Sequence, residues 1–103
     1  MNDNMKKVLV ALRSGLYEQT VEALQDETGF CCLGVMCEIW EKETGEKLVR
    51  DNKGFIYGAD LSDQDGVKEW AGLRHDDGST KIMQSLVDLN DGGHTFAAIA
   101  DFI

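Results

Sequence analysis

A chain of 103 residues, 43% hydrophobic and 28% charged, has the size and composition of one ordinary globular domain, able to bury roughly two-thirds of its unfolded surface. No apolar run reaches the roughly 18 residues needed to span a bilayer, which argues against a membrane protein. Nineteen acidic against ten basic residues give a formal charge of −9, which repels a phosphate backbone, disfavours direct DNA or RNA binding and favours a basic protein partner.

The first predicted element is a helix starting at Asp3 or Asn4, with Met5, Val8, Leu9 and Leu12 on one face and Gly15 as its stop. Lys6, Lys7 and Arg13 sit off that face; Arg13 suits the negative end of the helix dipole, and it is also a candidate ligand contact. Residues 16–30 fit either a short extended stretch turning over Asp26–Gly29 or a further helical turn around Val21 and Leu24, and the extended reading is preferred. The run GFCCLGVMCEIWEKE from Gly29 to Glu43 follows, with Leu33, Met36, Cys37 and Trp40 at i, i+3, i+4 and i+7 and Cys32, Val35 and Ile39 on the flanks. Apolar side chains cover most of its circumference, which predicts a buried central helix. Gly34 costs such a helix about 1 kcal/mol relative to Ala, so a second backbone is expected to pack closely there.

Leu48–Arg50 and Phe55–Tyr57 flank Asp51, Asn52, Lys53 and Gly54, the pattern of an antiparallel hairpin. Ser62 is placed to cap a helix with Asp63 to Asp65 in its first turn, Val67, Trp70 and Ala71 on its apolar face and Gly72 at its end. Ser79 does the same for a helix carrying Ile82, Met83, Leu86, Val87 and Leu89, which breaks at Asn90–Gly93. Thr95 opens the last helix, with Phe96, Ile99, Ala100 and Ile103 at helical spacing. The expectation is a compact single α+β domain over residues 1–103: about four helices around the buried central helix, with a small antiparallel β-hairpin or sheet.

Three cysteines in a chain whose N-terminus, MNDNMKKVLVALRSG, lacks the pattern of an export signal point to free thiols in a reducing compartment. Cys31 and Cys32 open the central helix, where the dipole lowers a thiol pKa, so a thiol nucleophile with His94 or His75 as base and Asp101 as orienting carboxylate is one reading. Small buried hydrophobes are the other, and the commoner fate of free Cys. Zinc on Cys31, Cys32, Cys37 and a His is disfavoured because adjacent cysteines do not easily fill two tetrahedral vertices. Asp88, Asn90 and Gly93 match only part of a calcium loop, and Asp63, Asp65 and Gly66 read better as a helix start. No cofactor is expected. The two C-terminal helices resemble a helix-turn-helix only superficially, since no Arg or Lys lies on the second. Tyr17, Trp40 and Trp70 read as core and rim residues; lining a cleft with Arg13 or Arg74, they would instead stack and pair with a small nucleotide.

Three stretches carry a family resemblance: ALRSGLYEQ at 11–19, GFCCLGVMCE at 29–38 and LNDGGHTFAAIADFI at 89–103, with Trp70, Gly72 and Leu73 as a shorter match. Together they resemble a family of small proteins of tailed bacteriophages and prophages. The resemblance implies a phage origin and a bacterial host cytoplasm, and no particular activity. Small acidic phage proteins often bind and disable host factors, including antiphage-defence components. The expected function is therefore a non-catalytic inhibitor of a host bacterial protein. The alternatives are a sponge for a signalling nucleotide of a defence system, held by Arg13, Tyr17, Trp40, Trp70 and Arg74, and a thiol-dependent enzyme.

Overall fold

Among the described residues four helices carry the structure: α1 (Asp3–Arg13), α2 (Cys32–Thr44), α3 (Asp65–Trp70) and α4 (Phe96–Phe102). The computed structural model describes residues 3–21, 23–56, 58, 65–72, 86 and 88–102. The apolar circumference of α2 is enclosed as expected. Leu33, Val35, Met36 and Cys37 are fully buried, and Trp40 keeps only 8% of its surface. Its N-terminus is capped by Cys31, whose Sγ accepts from the Gly34 N–H at 3.4 Å. Gly45, at a φ of 75° that side chains disfavour, ends it by donating its N–H to the Glu41 carbonyl.

Helix α1 packs across α2 and α4, while α3 packs on α2. Met5, Val8, Ala11 and Leu12 form the buried stripe of α1, with Leu9 half-buried beside it. In α4, Phe96, Ile99 and Ala100 are buried, and Thr95 caps the helix by accepting the Ala98 N–H at its Oγ1, 3.2 Å away. Val67 buries the inner side of α3, and Ala71 is buried in the turn that follows it. A helical turn at 88–91 precedes α4 and carries the buried Asn90, so the helix expected to break at Asn90 continues one residue beyond it.

The expected β-hairpin does not form, and the domain is mostly helical rather than α+β. Among the described residues no strand or sheet exists; the segment 48–56 keeps only one isolated bridge, between Arg50 and Ile56. The turn itself is present, since Asp51 donates its N–H to the Phe55 carbonyl and its carboxylate accepts from the N–H groups of Lys53 and Phe55. What fails is the ladder beyond it. The Leu48 N–H goes to the buried Glu41 carboxylate at 2.7 Å and the Ile56 N–H to the Gln25 side chain at 2.9 Å, so both flanks of the turn are tied by side chains to the rest of the fold instead of building a sheet. Tyr57, Ser62, Asp63, Arg74, His75 and the residues 79–85 lie outside the described residues.

Segment 16–30 is the preferred extended strap rather than a helix. It pairs with itself through bridges from Gln19 and Gln25 to Phe30, and Asp26 closes the 26–29 turn by accepting the N–H groups of Thr28 and Gly29. Two glycines let this strap lie against its neighbours. A Cβ on Gly34 would sit 1.7 Å from the Leu24 carbonyl oxygen, and one on Gly29 would sit 2.2 Å from that of Glu18. The close second backbone expected at Gly34 is therefore the strap itself.

Candidate functional site

The thiols bear on catalysis first. Cys31, Cys32 and Cys37 are all free and all buried. Burial pushes the Cys31 thiol up to about 11, against the smaller opposing effect of the Gly34 and Leu33 N–H groups. Cys32 and Cys37 are raised further, again chiefly by burial. Desolvation therefore outweighs the helix N-terminus, and the sign expected from the dipole is reversed. The Cys32 thiol donates to the Leu86 carbonyl at 3.5 Å, a packing contact and not a base. The ring Nδ1 of His94 lies 3.1 Å from the Leu89 carbonyl, and Asp101 faces Arg13.

Asn90 is the best-organised polar centre. Only 1% exposed, its Oδ1 accepts the Cys32 N–H and a Gln19 Nε2 hydrogen, both at 3.0 Å, and its Nδ2 donates to the Thr20 carbonyl at 2.7 Å. Gln19 Nε2 also donates to the His94 carbonyl. Three stretches far apart in sequence, ending ALRSGLYEQ, opening CCLGV and beginning LND, thus meet at one amide. Their job there is structural: Asn90 satisfies a helix N-terminal N–H and a strap carbonyl that burial would otherwise leave unpaired. Its part-match to a calcium loop has no support in this geometry, since its amide oxygen is already occupied. Among the described residues no group of three or more His, Cys, Asp or Glu is placed to hold a metal ion.

The residues considered for a nucleotide are dispersed in role. Arg13 donates to Asp101 at 2.8 Å, tying α1 to α4 at the surface. Trp40 is in the core, with Gly66 backed against its ring, and Trp70 is half-buried, its carbonyl accepting from Asn4. Tyr17 stacks edge-on against Phe30 at 5.6 Å, and its hydroxyl accepts from Lys42 Nζ at 3.2 Å. Arg74 lies outside the described residues.

The role of Asn90 and Gln19 was missed in the sequence, where Asn90 read as a helix breaker. An Asn followed by Asp-Gly-Gly signals a turn; nothing local signals that its side chain faces inward. The second unforeseen centre is Glu41, 4% exposed, which accepts from Arg50 Nη2 at 2.6 Å and from the Leu48 N–H. It anchors the 48–56 segment to α2.

A family model described as Domain of unknown function (DUF8296) matches residues 1–103. No curated protein and no solved structure matches the chain. No helix among the described residues is long and apolar enough to cross a membrane.

Proposed function

The chain belongs to that family, and from this premise we propose that it is a small acidic phage accessory protein that binds and inhibits a host factor in the bacterial cytoplasm without catalysis. The observation that carries the reading is how the surface charge is disposed. Five cations are already engaged: Lys6 with Asp3, Lys7 with Glu43, Arg13 with Asp101, Lys42 with Glu38 and Arg50 with Glu41. Each such pair is neutral in itself, so the formal charge of −9 remains an excess of negative charge over the chain, and a field of one sign steers a partner of the opposite sign. The resemblance to phage proteins supplies the host side of the proposal, and an antiphage-defence component is the factor it favours. The buried, thiol-form cysteines support binding over chemistry.

Tagged protein passed through host lysate at 50 mM salt should retain one partner in stoichiometric amount and release it as salt rises to about 500 mM, where screening shortens to a few ångströms. Recovery of no partner at low salt, or of one indifferent to salt, would refute the proposal.

A further inference from the structure

One cation-free stretch of the chain is strongly acidic. Between Arg13 and Lys42 the sequence holds no Lys or Arg, and residues 16–29 alone contain Glu18, Glu22, Asp26 and Glu27. Glu18 and Glu27 are exposed, and neither forms an ion pair among the described residues. The same strap exposes large apolar side chains, Leu16 at 83% and Val21 at 44%. It is also held in place. The Leu16 N–H donates to Ser14 Oγ, the Thr20 N–H to the Phe30 carbonyl, the Phe30 N–H to the Glu18 carbonyl, and the Asn90 amide to the Thr20 carbonyl. Where these bonds hold it, the strap's backbone is already fixed, which spares a partner the cost of ordering it there.

We propose that the strap at residues 16–29 is the docking edge for a basic protein segment with interleaved apolar side chains, which Leu16 and Val21 contact while Glu18 and Glu27 face its cations. This rests on the inhibitor reading above and names the surface it uses. A second copy of the chain is a poor occupant, because it would bring an equally acidic strap to an acidic one. Asp26, held ionised to lower pH than usual by the Thr20 hydroxyl and the Thr28 and Gly29 N–H groups, reinforces the field.

The test is an NMR titration of the uniformly ¹⁵N-labelled full chain with a blocked dodecapeptide of Lys carrying Leu at every third position, and with a control in which Ser replaces Leu. Shifts should centre on residues 16–21 and 26–29, and the Leu peptide should bind several-fold tighter than the Ser peptide. Glu18→Gln/Glu27→Gln, isosteric and exposed, should weaken the Leu peptide about five-fold at low salt. Leu16→Ser should erase the preference for Leu. Shifts spread evenly over the acidic surface, equal affinity for both peptides, or shifts in 16–29 that appear on concentrating the chain alone would each overturn the assignment. If a host partner is retained equally by the wild type and by both variants, the inhibitor reading stands and the strap is the wrong surface; if none is retained while the peptide maps to the strap, the inhibitor reading fails and the strap's chemistry stands.

Discussion

Replacing Gly34 by Ala sets two effects of opposite sign against each other. Within α2, Ala is favoured over Gly by about 1 kcal/mol. Against this, the new Cβ would lie 1.7 Å from the Leu24 carbonyl oxygen and 2.7 Å from its carbon, and both atoms are backbone that cannot rotate away. An ordinary contact requires the strap to retreat by well over an ångström. That carbonyl accepts the Cys31 N–H at 3.2 Å, and Leu24 itself is fully buried. Retreat thus forfeits a hydrogen bond and leaves a buried donor unpaired, roughly 1–3 kcal/mol, on top of about 1–3 kcal/mol for overpacking. The net expectation is a loss of about 3 kcal/mol. In urea unfolding followed by tryptophan fluorescence this appears as a much lower midpoint, and in thermal unfolding as a fall of roughly 15 °C for a domain of this size. A variant as stable as the wild type, or more stable, would show that helix propensity decides this position and that the strap does not press on α2.

Asn90→Ala removes the acceptor of the Cys32 N–H and the donor to the Thr20 carbonyl, and should cost about 3–4 kcal/mol in the same urea assay, with Asn90→Asp no milder at neutral pH because a buried carboxylate oxygen would then face that carbonyl. The thiols bear on alkaline stability. Their folded pKa values are raised above the unfolded value of about 8.5, so their contribution is complete below that pH and is lost as pH climbs toward about 11 and beyond; the urea midpoint should fall across this window. Iodoacetamide at pH 8 should label none of the three in the native protein and all of them in urea, and rapid native labelling would contradict the buried placement. Arg13→Ala should change stability by less than about 1 kcal/mol, since its pair with Asp101 is exposed on both sides; a larger loss would mean that α1 and α4 depend on it.

What could be read along the chain was what local periodicity encodes. The i, i+3, i+4, i+7 spacing of Leu33, Met36, Cys37 and Trp40 specified the buried helix, Thr95 the cap of α4, and Gly34 the approach of another backbone. The hairpin shows the limit of that reasoning. Alternation around Asp51–Gly54 was correct for the turn, yet its flanks are held by Glu41 and Gln25, residues outside the segment that bind Leu48 and Ile56 to the rest of the fold. The thiols show it again: position at a helix start suggests a low pKa, while enclosure by other elements raises it.

Hydrophobic spacing and turn chemistry are properties of neighbours in sequence, so the amino-acid order alone determined where helices run, which faces turn inward and how acidic the chain is. Which backbone lies on Gly34, that Gln19, Cys32 and Asn90 converge, and that the strap at 16–29 leaves Leu16, Glu18, Val21 and Glu27 exposed were decided only by tertiary packing. The reason is that a buried polar group must find its partner wherever the folded chain supplies one, and that partner is seldom adjacent in sequence.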